Sequence, residues 1–323
     1  METTHHHESK KDIGTLENIP NKDYWIPASI VISALIISSA WVYTAKVKNT
    51  EKGGIKTSEN SEIKTSNNNQ GIVSLVEKTI PVVWGDLGVK MVNAGVIDRD
   101  KFLQIYADRG GLSSAEKKLL DGTDNGKITV SEENSGVILN LLWALGLGNK
   151  NDILDNGEMK DPRYGNPGNF ASTGGWIIAK GNPMDHYSMH PFIALTKEQQ
   201  ELVERTSKNI FRPCCGNSTH FPDCNHGMAM LGLLELMASQ GATESQMYET
   251  ALVMNSFWFP DQYLAIGEYF KSKGTSIDKV DPRQVLSAEF SSGQGFQKII
   301  SEITQPIGSG NAPTRKSGGG CGV

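Results

Sequence analysis

Apolar and polar positions in the central and C-terminal parts of the chain recur mainly with the 3.6-residue period of an α-helix. After Asp98, Phe102, Ile105 and Tyr106 fall at i, i+3 and i+4. Ser113 with Glu116, Thr196 with Gln199 and Thr243 with Gln246 each have the spacing of a capping box, in which a hydroxyl and an acid or amide satisfy the first free N–H groups of a helix. Asp281-Pro282 offers a cap followed by proline at the first helical position. Met230, Leu233, Leu234 and Met237 form an i, i+3, i+4, i+7 stripe, and Gly241 supplies a left-handed stop. Gly110-Gly111 separates two of these helices. Alternation with a period of two is scarce: Lys127–Val130 and Gly175–Ala179 are the short strand candidates. The pattern predicts a mostly α fold with little or no β.

One stretch breaks the amphipathic pattern. Residues 24–45 run 22 positions without a charge, with Tyr24, Trp25, Trp41 and Tyr43 at the two ends. As a helix this length crosses a hydrocarbon core of about 30 Å, and the aromatic rings fall at headgroup level. The reading is a single N-terminal transmembrane helix behind a short polar tail, residues 1–23, in which His5, His6 and His7 read as solvated. Lysines flank both ends, Lys46, Lys48, Lys52, Lys56 and Lys64 more densely than Lys10, Lys11 and Lys22. A long following domain translocates largely regardless of that bias, so the expected location of the C-terminal part is extracytoplasmic.

Residues 46–70 are too polar to offset chain entropy by burial and read as a flexible tether. Residues 306–323 read as a Gly-rich tail that presents Cys321 on a mobile arm. Between them lie two helical regions, 71–195 and 196–305, the first ending in a long irregular segment, 146–191, crowded with glycine and proline. A formal charge of −5 gives no basic field of the kind that draws proteins onto phosphates, so nucleic acid is not an expected partner. No phosphate-binding, dinucleotide or nucleophile-elbow motif is present.

Two constellations carry candidate chemistry. The segment 121–132 spaces oxygen donors as Asp121, Thr123, Asn125, the carbonyl of Lys127 and Glu132, with Gly126 at the turn. This segment resembles an EF-hand calcium loop, departing from it at Thr123, and the resemblance implies a calcium site of modest affinity. A tight turn at Asn125-Gly126 accounts for the same residues without an ion.

The second constellation is 212–226, RPCCGNSTHFPDCNH, which holds three of the four cysteines and two of the seven histidines. Thiolate and imidazole are ligands of zinc and copper. Cys214, Cys215, Cys224, His226 and His220 are the candidate metal ligands, and a thiol at the start of the following helix is activated by the helix N-terminus. The spacing lacks paired C-x2-C knuckles, so the identity of the metal stays open between zinc and copper. A disulfide from Cys224 to Cys214 or Cys215 competes with the metal reading. His186 and His190 fall at i and i+4, on one face if that stretch is helical, and the aromatic run Phe257–Tyr263 reads as packing at a helix corner.

Three functions follow. The first is a membrane-anchored extracytoplasmic protein that binds a transition metal through the Cys/His cluster. The second is a thiol–disulfide oxidoreductase using Cys214, Cys215 and Cys224, with Cys321 as a mobile thiol. The third is a structural or partner-binding domain stiffened by a disulfide and calcium.

Overall fold

The computed structural model describes residues 76–304. The span 24–45, the tether 46–70 and the tail carrying Cys321 lie outside these residues. Among the described residues no helix is long and apolar enough to cross a membrane. Two strands, β1 (Lys78–Gly85) and β2 (Asn125–Val130), bracket three helices, α1 (Leu87–Ala94), α2 (Arg99–Ala107) and α3 (Ser114–Asp121). There follow α4 (Ser135–Gly148), the short α5 (Asp152–Asn156), a run of single 3-10 turns, α6 (Lys197–Ser207), α7 (Asn225–Ser239), α8 (Glu244–Trp258) and α9 (Pro260–Ser272). Three further helices, α10 (Pro282–Val285), α11 (Ala288–Ser291) and α12 (Gly293–Thr304), close the described chain.

The expected mostly helical fold is observed, and its starts are where the capping residues place them. Asp98 accepts from the N–H groups of Asp100 and Lys101. Reciprocal capping boxes form at Ser113/Glu116, Thr196/Gln199 and Thr243/Gln246. Asp281 caps α10 by accepting from the N–H of Arg283. Gly110, Gly111 and Gly241 take positive φ, the conformation that side chains disfavour and glycine permits.

Helices α4 and α7 form the centre. Nearly every residue of both is buried, so the stripe at Met230, Leu233, Leu234 and Met237 is only one side of a helix enclosed all round. Two glycines allow the helices to meet backbone to backbone. A Cβ on Gly146 would stand 2.1 Å from the carbonyl of Met228, and one on Gly232 would stand 2.6 Å from the carbonyl of Leu142. The main core runs from Ile80 to Leu286 and draws on both sides of residue 195. A smaller cluster, including Phe259, Tyr263, Ile266, Phe270 and Phe290, packs α9 against the C-terminal helices.

The sheet departs from expectation in three places. Strand β1 was not among the candidates because Pro81 interrupts it, yet Ile80, Val82 and Trp84 alternate inward around that proline. A register shift between Thr79 and Val83 accommodates the missing donor. The amide of Gln240 pairs with both backbone groups of Val83, acting as a one-residue extension of the sheet. Gly175–Ala179 is turn rather than strand: buried Trp176 donates its indole N–H to the carbonyl of Val96 and packs on Trp143.

The segment expected to bind calcium is the third departure. Residues 125–130 are paired antiparallel with β1, so Asn125 faces Gly85 across the sheet. The Asn125 amide donates to the carbonyls of Gly85 and Gly122, fixing the strand end. Both oxygens of Asp121 accept from the Arg99 guanidinium at 2.8 Å, which lowers the Asp121 pKa and turns its carboxylate toward Arg99. Gly126 has no positive φ, so neither a calcium loop nor an Asn-Gly turn forms. Thr123, Lys127 and Glu132 are left without the anionic partner at position one that the site required.

Candidate metal centre

The residues from Arg212 to Cys224 fold as a loop between α6 and α7, tied to the scaffold by backbone bonds. Thr219 N–H and its hydroxyl both reach the carbonyl of Ile210, and His220 N–H reaches that of Ser207. The carbonyl of Cys215 accepts from the N–H of Gly293, anchoring the loop to the start of α12. The far end is Cys224, which caps α7: its Sγ accepts from the N–H of Gly227 at 3.4 Å.

At the centre of the loop is Arg212, only 1% exposed. Its Nε donates to Cys224 Sγ at 3.0 Å, Nη1 donates to the carbonyl of Asn217, and Nη2 donates to the carbonyl of Phe221 and to Asp223 Oδ1 at 2.6 Å. The other carboxylate oxygen, Asp223 Oδ2, accepts from the Asn217 amide at 2.8 Å. A buried cation survives only with such partners. Gly227 makes room for it, since a Cβ there would lie 2.5 Å from Arg212 Nη2. Burial opposes the charge of Arg212, but the surrounding thiols and Asp223 hold it firmly protonated.

This clamp presents sulfur. Cys214 Sγ lies 3.6 Å from Cys224 Sγ and 3.9 Å from Cys215 Sγ. The donor atoms of Cys214, Cys224 and His226 all lie within 4.8 Å of one another and can hold a metal ion. Cys215, Asp223 and Cys224 form a second set within the same span. The second is the poorer one, because both oxygens of Asp223 are already engaged by Arg212 and Asn217.

His226 is the second residue of α7, with its ring against Phe259, centroids 4.4 Å apart, and near Trp258 at 5.9 Å. Its buried Nδ1 has no hydrogen-bond partner among the described residues. Such a group costs about 1–3 kcal/mol when left unsatisfied. The aromatic run therefore serves two ends: Phe257 and Tyr263 are core, whereas Phe259 walls the imidazole.

The three thiols differ in acidity. Hydrogen bonds from Cys214 and Cys215, together with the Arg212 charge, hold Cys224 well below the ordinary thiol range in spite of its burial. Donation to Cys215 and Cys224 pushes Cys214 up. Burial and the hydrogen bond to Cys224 raise Cys215 to about 12, although its contact with Cys214 acts the other way. Negative charge is thus favoured on the buried sulfur, Cys224, over Cys214 and Cys215.

Of the candidate ligands, the structure unites Cys214, Cys215, Cys224 and His226. His220 is elsewhere, its Nδ1 3.3 Å from Glu158 Oε1. The described cysteines are free, and the anticipated bridge is absent: at 3.6 Å the Cys214 and Cys224 sulfurs are in contact without a bond. His186 and His190 do meet, with Nδ1 3.0 Å from Nε2, through an irregular turn in which Ser188 takes a φ of 56° rather than through a helix. Sequence reasoning missed the roles of Arg212, Asn217 and Asp223. An arginine two residues before Cys214 and an aspartate immediately before Cys224 were the available signal. Comparison with known protein families, curated proteins and solved structures finds no match.

Proposed function

We propose that this chain binds one thiophilic transition metal ion, zinc or copper, on Cys214, Cys224 and His226, and that residues 24–45 anchor it in a membrane with the helical domain outside the cytoplasm. The observation that carries the metal reading is the convergence of two sulfurs and an imidazole, one nitrogen of which is buried without a partner. Thiolate and imidazole together suit zinc and copper better than calcium or magnesium. The Arg212 clamp keeps the Cys224 sulfur anionic and aimed, as outer hydrogen bonds do around metal ligands generally.

The same geometry weighs against thiol–disulfide exchange. Exchange begins with attack by an accessible thiolate. Here the accessible thiol, Cys214, is pushed toward its neutral form, while Cys224, whose acidity is raised, is enclosed. That distribution is the inverse of what an attacking cysteine needs, and it suits a resident ligand.

The test is metal stoichiometry on the full chain, purified in mild detergent without oxygen and loaded separately with Zn(II) and Cu(I). The expected result is one ion per chain for at least one metal, with affinity reduced about 10- to 100-fold or more in Cys224→Ser and His226→Ala. Absence of stoichiometric metal in the intact chain, or retention unaffected by Cys224→Ser, removes the reading. A mixed disulfide trapped by Cys214→Ser would favour exchange instead.

A further inference from the structure

The sulfurs form a second triangle that shares an edge with the first. Cys214 Sγ and Cys224 Sγ, 3.6 Å apart, belong to both. His226 completes one triangle, and Cys215 Sγ completes the other, 3.9 Å from Cys214 and within 4.8 Å of Cys224. Metal–thiolate bonds of about 2.3 Å let a single ion bridge the shared edge in either arrangement. Cys215 is half-buried, and among the described residues its sulfur makes no hydrogen bond to a group outside the cluster beyond a 4.0 Å approach to the carbonyl of Asn217. Its backbone carbonyl is fixed by Gly293, which keeps the thiol beside the edge.

We infer that the site is built for transfer, with Cys215 as the entry and exit ligand for a soft monovalent cation, Cu(I), that comes to rest on Cys214, Cys224 and His226. This rests on the metal reading above. The incoming ion bonds first to Cys215 and then to Cys214 and Cys224, and each of these sulfurs that carries a proton releases it to solvent as it binds the ion. The bond to His226 forms as the bond to Cys215 breaks, and Cys215 regains a proton. Withdrawal runs the same steps backwards and ends when an incoming thiolate or chelator bonds to the ion as its bond to Cys215 breaks, so the ion is never released bare. The preference for Cu(I) follows from the thiolate-rich low-coordinate triangles, since Asp223, the oxygen donor within reach, is spent on Arg212 and Asn217.

The experiment uses the full chain with Cys321→Ser, so that no other thiol intervenes, loaded with Cu(I) under a non-thiol reductant. Copper is withdrawn by a chromogenic Cu(I) chelator in stopped flow, and affinity is measured by equilibrium competition with the same chelator. In Cys215→Ser and Cys215→Ala the affinity is expected to stay within about threefold, while loading and withdrawal both slow by about tenfold or more. Unchanged rates overturn the transfer role. Affinity falling in step with the rates overturns it too, by making Cys215 a resident ligand. If the Cys321→Ser parent holds no copper at all, the failure is that of the underlying metal reading, which this control reports separately.

Discussion

Replacing Arg212 by methionine keeps most of the side-chain volume and removes the charge. The wild-type guanidinium is 1% exposed and makes four hydrogen bonds, two of them to anionic groups, Cys224 Sγ and Asp223 Oδ1. Because the group is buried, solvent does little to screen the loss. A charge-assisted bond contributes about 1.5–3 kcal/mol, and removing one member of a buried ion pair costs about 3–5 kcal/mol because the other is stranded. The Asp223 carboxylate retains only the Asn217 amide, the Asn217 carbonyl keeps only the weak approach of the Cys215 thiol, and the Phe221 carbonyl falls back on the N–H of Asp223. The expected loss is therefore about 4 kcal/mol, which for a domain of this size lowers Tm by about 10 °C. Urea denaturation of the metal-free chain, followed by circular dichroism, measures it. Adding Asp223→Asn should recover about 1–2 kcal/mol, since the stranded carboxylate is then neutral. A loss below about 1 kcal/mol in the single variant would refute the account of Arg212 as the organiser of the loop.

Other outcomes follow from the same geometry. Glu235, fully buried on α7 with one bond from the Asn149 amide, has its pKa raised well above 4.5 by desolvation. The folded state then holds a proton that the unfolded state gives up, so stability is full below the unfolded value and falls as pH rises toward the folded one. Glu235→Gln should flatten this decline, read as a smaller difference in denaturation midpoint between about pH 4.5 and pH 8. Gly146→Ala forces a Cβ to within 2.1 Å of the Met228 carbonyl and should cost about 3 kcal/mol in the same denaturation assay. His220→Ala, with its ring on Glu158, should leave metal affinity within about twofold, whereas His226→Ala should lower it at least tenfold by competition titration.

Local chemistry explains which parts of the structure were legible in the sequence. Helix starts were, because a cap and its N3 partner lie three residues apart: Ser113/Glu116, Thr196/Gln199 and Thr243/Gln246 carry their own geometry. Strand β1 was not, because its partner lies across three helices and Pro81 masks the alternation of Ile80, Val82 and Trp84. The calcium-like segment failed for a related reason: its first ligand, Asp121, is claimed by Arg99 from a different helix, which no reading of twelve consecutive residues reveals. In the Cys/His cluster, donor density identified the cysteines and His226 but not their geometry. Whether His220 or His226 joins the sulfurs depends on the fold of the loop around Arg212. Its central position shows only in three dimensions.

X-ray absorption at the metal edge of the full chain loaded with one equivalent of Zn(II) or Cu(I) tests the central claim most directly. The account predicts a first shell of two sulfurs at about 2.3 Å and one imidazole nitrogen at about 2.0 Å, with the sulfur contribution cut by half in Cys224→Ser. A shell of oxygen and nitrogen alone, or one that Cys224→Ser leaves untouched, would contradict it.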